Sequence, residues 1–246
     1  MSSTLPLTGE RTAPGVAHEN YWFRRHEVVY AAIAAECAGA VVLEAGCGEG
    51  YGADLLAGTA HRVLALDYDA ATVTHVAARY PRVTPGRANL VALPVPDAGV
   101  DVVVSLQVIE HLWEQERFLR ECRRALRPGG RLLVSTPNRI TFSPGRDTPL
   151  NPFHTRELGP GELSGLVRDA GFADVVVQGL HHGPRLRAMD ARHGGLIEAQ
   201  TRLALSGDAW PDTLATDVAA VRSSDFVLHT GDLDASLDLL VSAVRP

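Results

Sequence analysis

The hydrophobic positions of the chain alternate between short continuous apolar runs and longer segments that are compatible with helices. The apolar runs are rich in Val and Leu, which predicts strands that are buried on both faces. They lie at residues 41–45, 62–67, 83–89, 100–106 and 131–135. The helical segments between them lie at residues 51–57, 70–80 and 115–126. This alternation predicts a doubly wound α/β fold with a parallel sheet that is covered on both faces.

The two ends of the chain depart from this alternation. Residues 1–17 carry prolines and glycines among polar residues and predict a flexible arm, and residues 18–38 predict an N-terminal cap helix. After the sixth strand signal, at residues 173–178, the next apolar run comes only near residues 237–244. A helical insertion at 181–235 is therefore expected before the last strand, because ordinary connections are far shorter. We expect a single domain at 18–246, built on a seven-stranded sheet.

Composition and charge exclude several classes of function. The 23 basic and 29 acidic side chains are interspersed and give a net charge of −6, which argues against a nucleic-acid surface. The three scattered cysteines fit neither a disulfide framework nor a zinc motif. There is neither a signal-peptide pattern nor an apolar run of roughly 18 residues, as a membrane span would need. We expect a cytoplasmic protein that binds neither nucleic acid nor membranes, and a homodimer stays open.

A glycine-rich loop follows the first predicted strand. Its GxGxG motif starts at Gly46 and has its second glycine at Gly48. Glycines let a backbone approach a ligand closely. Glu44 and Glu49 flank the loop and would repel a phosphate, so they suit a cationic ligand. Asp67 ends the second predicted strand, where it can accept hydrogen bonds from a ribose. The loop and Asp67 together predict a nucleoside-binding site.

These motifs resemble the class I S-adenosylmethionine-dependent methyltransferases over residues 41–138. The matching segments are VLEAGCGEG, ALDYD, ANLVALPVPDAGVDVV, SLQVIEHL and LRPGGRLLVSTPN. The resemblance implies a Rossmann-like sheet with S-adenosyl-L-methionine as cofactor and S-adenosyl-L-homocysteine as product. It also implies that the glycines pass under the amino-acid part of the cofactor and that a tyrosine covers the adenine. The residues that it assigns to the cofactor are Gly46, Gly48, Asp67, Tyr68, Asn89, Leu90 and Gln107, and the acidic flank of the loop adds Glu44.

The candidate catalytic side chains follow the fourth and fifth predicted strands. Glu110 and His111 lie just after strand four, and His154 lies in the segment NPFHTRE after strand five. Transfer of a methyl group to a hydroxyl needs in-line approach and a base for the hydroxyl proton. In one interpretation His154 is that base, and Glu110 or His111 orients the acceptor. In another, the Glu-His pair only holds its loop in place.

A third interpretation makes Glu110, His111 and His154 metal ligands. The segment resembles the ExxEH motif of the small-RNA 2′-O-methyltransferases and the quinone-pathway O-methyltransferases, which implies a divalent metal. Gln107 stands at the first position of that motif in place of Glu. Oxygen and imidazole ligands accept several divalent ions, and Mg²⁺ is favoured where oxygen dominates. The base and metal interpretations both stay open at this point.

Two further polar clusters are candidates for ligand contacts. The segment YWFRRH in the predicted cap helix places Tyr21 and Arg25 near one face, where Tyr21 can cap the cofactor and Arg25 can bind its carboxylate. The segment HHGPRLR of the predicted insertion carries His182 and Arg185. These side chains fit either contacts to a sugar or phosphate, or a solvated start of a helix.

Over nearly its whole length the chain resembles the actinobacterial sugar O-methyltransferases of polymethylated polysaccharide synthesis. The stretches ENYWFRRHEVVY, STPNRITFSPGRDTP, NPFHTREL and GPRLRAMDARHGG carry this resemblance. It implies a small oligosaccharide acceptor, most like the 1-OH at the reducing end of a short methylated mannoside, and His154 as general base. The alternatives are the methylglucose lipopolysaccharide pathway, a metal-dependent 2′-O-methyltransferase, and a non-catalytic module that binds S-adenosylmethionine.

Overall fold

An eight-stranded sheet forms the centre of the computed structural model, which describes residues 12–246. The strands are β1 (Val41–Ala45), β2 (Arg62–Asp67), β3 (Val83–Arg87), β4 (Val100–Leu106), β5 (Leu126–Pro137), β6 (Ala173–His182), β7 (Phe226–His229) and β8 (Asp238–Val244). The helices are α1 (Asn20–Ile33), α2 (Tyr51–Leu56), α3 (Ala70–Arg79), α4 (Gln115–Ala125), α5 (Arg139–Phe142), α6 (Pro160–Asp169), α7 (Pro184–His193), α8 (Leu196–Ser206) and α9 (Asp212–Ala219).

The order of the strands places the candidate ligand site. The order across the sheet is β3-β2-β1-β4-β5-β8-β6-β7, and the first five strands are parallel. Strand β8 runs antiparallel to both β5 and β6, and β7 runs antiparallel to β6. The chain reverses its direction across the sheet between β1 and β4. Sheets of this type bind ligands outside the carboxyl ends of the strands at such a reversal.

The strand count differs from the seven that the sequence predicts. The additional strand, β7, lies inside the segment 181–235 and pairs with the last four residues of β6. Strand β6 itself runs on to His182, four residues beyond the predicted end. Strand β7 is the edge strand, and several of its side chains as well as His181 and His182 are half-buried or exposed, so these stretches lack the continuous apolar run that identifies a central strand. Along the described chain, the segment 181–235 holds this strand together with α7, α8 and α9.

Strand β5 also begins earlier than predicted. The sequence Pro128-Gly129-Gly130 predicts a turn before the strand, yet Leu126 already pairs with Val100 of β4. The next pair is Val102 with Arg131, so residues 127–130 bulge out of the ladder. Gly129 takes a φ of +76° inside this bulge, which a residue with a side chain rarely adopts. The predicted turn is therefore an excursion within the strand.

The core lies in two layers, one on each face of the sheet. One layer packs α4 and α6 against the strands through fully buried side chains such as Phe118 and Leu163. The other layer packs α1, α2 and α7 to α9, with Leu186, Leu196 and Val218 buried. Burial of each such side chain contributes about 1.5–3 kcal/mol. The helices between β6 and β8 therefore belong to the core of the fold.

The N-terminal part of the description begins at Thr12. Most of the predicted flexible arm, residues 1–11, lies outside the described residues. The Thr12 hydroxyl lies 3.2 Å from the hydroxyl of Tyr51 at the start of α2. Helix α1 matches most of the predicted cap helix and continues as a 3-10 turn to Cys37. No helix within residues 12–246 combines the length and apolarity needed to cross a membrane.

Candidate active site

The glycine loop turns sharply where β1 ends. Gly46 and Gly48 have φ values of +89° and +52°, which a glycine adopts without strain. The amide of Gly46 donates to the Leu66 carbonyl at 2.8 Å, and this bond ties the loop to the end of β2. A Cβ atom on Gly46 would collide with the side chain of Val108. The loop therefore packs directly against the segment that follows β4.

Asp67 lies beside this loop, as the sequence predicts for neighbouring parallel strands. One carboxylate oxygen accepts from the Gly48 amide at 3.0 Å, and the other accepts from the Asp69 amide at 2.9 Å. Tyr68 is 71% exposed, with the guanidinium of Arg87 5.5 Å from its ring centroid. Its ring is free to cover a bound base, and the adenine contact stays a prediction.

Asn89 and Leu90 follow β3 at the same edge of the sheet. The Asn89 side-chain oxygen accepts from the Val91 amide at 3.1 Å and stabilises the turn. The Leu90 side chain is buried in the core. A contact from Leu90 to an adenine edge would therefore be made by its backbone, and both adenine contacts stay predictions.

The acidic flank of the loop differs from the sequence expectation. Glu44 is fully buried and accepts from the Tyr30 hydroxyl at 2.5 Å. Burial raises the pKa of Glu44 to about 8, and the charge of Asp67 adds to this effect. Glu49 accepts hydrogen bonds from His75 and from the Tyr80 hydroxyl, at 2.8 and 2.6 Å. Both carboxyl groups of the flank are therefore engaged by protein side chains and are not free carboxylates.

The N-terminal cluster is arranged differently from the prediction for Tyr21. Tyr21 is fully buried, and its hydroxyl lies 2.7 Å from Nε2 of His182. Its ring packs against Phe226, 5.6 Å between centroids. This position argues against the predicted cap over the cofactor, because both the ring and the hydroxyl of Tyr21 are engaged inside the protein.

Arg25 is also buried, yet it lines the main cavity. Its Nε and Nη2 atoms donate to the two carboxylate oxygens of Asp238, each at 2.6 Å. The remaining nitrogen, Nη1, finds no hydrogen-bond partner among the described residues. A cofactor or acceptor group could therefore accept from Nη1, and the predicted contact of Arg25 with the cofactor carboxylate stays a prediction.

A cavity of about 620 Å³ opens beside these elements. Of the residues predicted to bind the cofactor, Arg25 and Gln107 line it. Gln107 takes a φ of +57° and donates from its side-chain amide to the Ser135 hydroxyl at 3.2 Å. Aromatic side chains supply much of the wall, namely Trp22, Phe142, Phe153 and Trp210. The volume is typical of a small-molecule site.

Glu110, His111 and His154 come together at this cavity. Their ligand atoms all lie within 4.8 Å of one another, and the two imidazole centroids are 4.9 Å apart. Glu110 is buried and accepts from the Thr136 hydroxyl at 3.0 Å. Burial raises the pKa of Glu110 to about 8. Three groups separated by up to 44 positions in the sequence thus form one constellation, as the sequence predicts for loops that leave the same edge of the sheet.

The structure adds two residues to this constellation. Nδ1 of His154 lies 2.7 Å from a carboxylate oxygen of Glu157, and Nε2 of His154 lies 3.1 Å from the side-chain amide nitrogen of Asn151. Nδ1 of His111 lies 3.0 Å from the Phe153 carbonyl oxygen. The sequence holds Asn151 and Glu157 three positions on either side of His154, but it gives no sign that the loop folds both back onto the imidazole.

Comparison with known proteins agrees with this geometry. The model of the methyltransferase domain family matches residues 43–134. A Mycobacterium tuberculosis protein with the name "Probable S-adenosylmethionine-dependent methyltransferase" is 63% identical over 249 residues, which cover 99% of this chain and 91% of that protein. A ubiquinone biosynthesis O-methyltransferase of Xanthomonas euvesicatoria is 27% identical over 172 residues, or 63% of this chain and 72% of that protein.

The fold has solved counterparts as well. A Thermotoga maritima structure, described as a SAM-dependent methyltransferase and "possible histamine N-methyltransferase", superposes with a TM-score of 0.63 at 18% identity. The superposition covers 92% of this chain and 93% of that one, which establishes the Rossmann-like fold. Taken with the 63% identity to the mycobacterial protein, the glycine loop and Asp67 identify the chain as a member of the class I S-adenosylmethionine-dependent methyltransferases.

Proposed function

We propose that this methyltransferase methylates a sugar hydroxyl, with His154 as the general base. The observation that carries the proposal is the setting of His154. Its imidazole lines the cavity, and Nδ1 is held by the buried carboxylate of Glu157 at 2.7 Å. A hydroxyl is a weak nucleophile until its proton is removed, so a held imidazole at this place favours an oxygen acceptor.

The lining of the cavity supports a sugar as the acceptor. A sugar ring presents apolar C–H faces, which pack on aromatic rings such as Trp22 and Trp210, and hydroxyls that need hydrogen-bond partners. The cavity offers Gln200 and Arg25, each buried, for the hydroxyls. Gln200 Oε1 and Arg25 Nη1 have no protein partner within residues 12–246. A buried acceptor and a buried donor without partners are costly, and the hydroxyls of a sugar could pair with both.

The residues at the loop fit S-adenosylmethionine. The family resemblance puts the ligand's amino-acid part at the turn of Gly46 and Gly48, and Asp67 lies beside that turn, where a ribose can donate to it. Glu44 Oε2 is buried without a hydrogen-bond partner in the part of the chain that the structure describes. Such an orphaned oxygen suits the ammonium group of the cofactor. When bound, S-adenosylmethionine supplies an electrophilic methyl group on a sulfonium centre.

The protein's own contribution to the reaction is positioning and proton transfer. The acceptor oxygen forms a bond to the methyl carbon while the bond from that carbon to sulfur breaks. The hydroxyl proton passes to Nε2 of His154, since Nδ1 is engaged with Glu157. The aromatic wall of the cavity excludes water from this place and holds the acceptor for in-line attack.

For the acceptor itself we favour the 1-OH at the reducing end of a short methylated mannoside. The resemblance of the segments that contain Arg25 and His154 to the polymethylated polysaccharide enzymes supports this choice. An acceptor of the methylglucose lipopolysaccharide pathway is the alternative. An assay of defined mono- and disaccharides with labelled S-adenosylmethionine tests the choice, and NMR reads the methylated position. Methylation of glucosides alone would contradict the mannoside.

Replacement of His154 tests the base. We expect His154→Ala to lower kcat by about 10²–10⁴-fold, the usual contribution of a general base, while calorimetry shows unchanged binding of S-adenosylhomocysteine. His61→Ala is the matched control, because His61 is exposed and lies outside the residues that line the cavity. Near wild-type turnover of His154→Ala, with the same product, would contradict the base assignment.

A metal-dependent O-methyltransferase is the second candidate, favoured by the cluster of Glu110, His111 and His154. Opposite ligands of Mg²⁺ lie about 4.2 Å apart, so a spread of up to 4.8 Å needs only a small contraction. Both histidines turn Nδ1 to a protein oxygen, as metal-binding histidines usually do. A bound ion would polarise the acceptor hydroxyl and lower its pKa.

Chelation separates the two candidates. The base mechanism predicts full turnover in excess EDTA, whereas the metal mechanism predicts loss of turnover that added Mg²⁺ restores. Glu110→Gln then serves as a second probe, because it removes a carboxylate ligand and leaves His154 in place. A non-catalytic module would form no product from any acceptor, and the 620 Å³ cavity beside Gln107 argues against it. An RNA acceptor is disfavoured by the net charge of −6.

A further inference from the structure

The imidazole of His154 has a buried carboxylate as its neighbour. Glu157 Oε1 lies 2.7 Å from Nδ1, and the two side chains are only 1% and 4% exposed. Buried carboxylates are rare unless they are paired. The other oxygen, Oε2, has no hydrogen-bond partner inside the described range 12–246. Within the described residues, the side-chain hydrogen bond of the Glu157 carboxylate is therefore the one to His154.

The hydrogen bonds around the ring determine which nitrogen carries the proton. The Asn151 side-chain oxygen accepts from the Phe153 amide at 3.0 Å, so the other end of this side chain is its NH₂ group. That NH₂ group lies 3.1 Å from Nε2 of His154 and donates to it. This arrangement assigns Nε2 as the acceptor of that hydrogen bond. In a neutral ring the proton then lies on Nδ1, where Glu157 accepts it.

The backbone holds Glu157 firmly in this position. The amide of Thr155 donates to the Glu110 carbonyl at 2.7 Å, and Leu158 forms a parallel bridge with Asn138 at the end of β5. The segment that carries Glu157 is thus fastened to the loop after β4 and to the sheet. A carboxylate that is fixed before the substrate arrives costs no reorganisation during the reaction.

Charged side chains surround the His154–Glu157 pair, and two nearby arginines form ion pairs with Glu162. Glu157 also lines a second, polar cavity of about 200 Å³. Two of the three arginines that line that cavity, Arg139 and Arg156, approach Glu162 at 3.7 and 3.6 Å. Asp147 and Arg146 complete its charged lining, and Glu110 and His111 face His154 from the loop after β4.

We propose that Glu157 is a positioning residue that keeps His154 in the Nδ1–H form, with Nε2 ready to accept the proton of the acceptor. The proposal rests on the proposed role of His154. During transfer, the hydroxyl proton passes to Nε2, the Nδ1 proton stays on the ring, and Glu157 remains ionised opposite the imidazolium. The acceptor hydroxyl takes the place of the Asn151 amide as the donor to Nε2.

The first test reads the tautomer directly and needs no acceptor. Two-bond ¹H–¹⁵N correlation NMR of the labelled protein distinguishes a protonated from an unprotonated ring nitrogen, and the His154→Ala spectrum assigns the signals. We expect an unprotonated Nε2 and a protonated Nδ1 in the wild type. We expect Glu157→Gln to populate the Nε2–H form, because the new amide can donate to Nδ1. A wild-type ring that is protonated at Nε2 would overturn the proposal.

The second test separates positioning from folding. We expect Glu157→Gln to lower kcat by about 10²-fold or more, with the acceptor KM and cofactor binding changed less than about threefold. Glu157→Asp keeps the charge and should recover part of kcat. Glu162→Gln is the matched control, since Glu162 lines the same second cavity, caps Gly159, and is 43% exposed.

The outcomes distinguish this proposal from the proposed function. Equal kcat values for Glu157→Gln and Glu162→Gln would overturn the positioning role, even if His154→Ala is inactive. An active His154→Ala would instead overturn the base assignment, whatever the tautomer. Loss of thermal stability in Glu157→Gln without a change of tautomer would show that the carboxylate serves only the fold, which also overturns the proposal.

Discussion

Removal of the Asp238 charge should strongly destabilise the fold, because it leaves a buried guanidinium without its anion. Asp238 begins β8 and Arg25 lies in α1, 213 positions away in the sequence. Their two hydrogen bonds, each 2.6 Å, join the N-terminal helix to the sheet. Both side chains are 2% exposed. In Asp238→Asn, the new NH₂ group would face the guanidinium, donor against donor.

The size of the effect follows from the burial of the pair. Loss of one partner of a buried ion pair typically costs 3–5 kcal/mol, since the remaining charge is desolvated without compensation. For a chain of this length, 1 kcal/mol corresponds to about 2–4 °C in Tm, so we expect a fall of roughly 6–20 °C. An exposed pair offers a contrast. Asp54→Asn removes the charge opposite Arg82, which is 55% exposed, and should cost far less than Asp238→Asn.

Urea unfolding followed by circular dichroism measures these changes, with Asp54→Asn as the matched control. The double variant Arg25→Met/Asp238→Leu removes both charges and should recover most of the lost free energy of unfolding, because two apolar side chains need no partner. If Asp238→Asn lost no more than the Asp54 control, the pair would not hold α1 to the sheet. Failure of the double variant to recover would assign the loss to packing.

Three further predictions concern the loop and the cavity. Burial raises the pKa of Glu44 to about 8, so the folded protein keeps a proton that the unfolded chain releases above about pH 4.5. The stability that this retained proton contributes is fully present below pH 4.5 and is lost as the pH rises towards 8. In urea unfolding, Glu44→Gln should therefore reduce the pH dependence of the free energy of unfolding by about 1 kcal/mol per pH unit. Parallel pH curves for the variant and the wild type would refute this prediction. Gly46→Ala should weaken S-adenosylhomocysteine binding at least about tenfold in calorimetry, because the new Cβ collides with Val108 and the backbone has a positive φ. Unchanged affinity would contradict a role of the glycine loop in binding the cofactor. Gln200→Leu should raise the acceptor KM about five- to tenfold with little change in kcat, as an uncharged hydrogen bond is worth roughly 1 kcal/mol, and an unchanged KM would remove Gln200 from the acceptor site.

The central strands could be predicted from the sequence because they are buried on both faces. Strands β1, β2 and β4 begin and end where the apolar runs do. Strand β7 and the end of β6 could not be predicted, since an edge that is half exposed carries polar side chains such as His181 and His229. The two imidazoles stack there with centroids 4.1 Å apart, and no periodic pattern announces that contact.

The sequence predicts those contacts of the site that follow from the order of the strands alone. Parallel strands bring their carboxyl ends to one edge of the sheet, so the approach of Gly48 to Asp67 and of His111 to His154 follows from the strand assignments. Helical spacing shows that Tyr21 and Arg25 lie near one face of α1, but it does not say what lies opposite. Their partners come from β6 and β8, and only the packed structure identifies them.

The same packing explains which walls of the cavity can vary. Arg25 reaches the cavity, yet it is also one half of the ion pair that holds α1 to β8, so a substitution for a new acceptor would cost stability as well. Trp210 and Leu205 line the cavity from the segment between β6 and β8, where Leu205 is 74% exposed and Trp210 half-buried against His18. Leu205 therefore has little buried surface to lose, whereas Trp210 also packs against the core. Acceptor preference should therefore change through position 205 at little cost in stability, while changes at Arg25 alter both acceptor preference and stability.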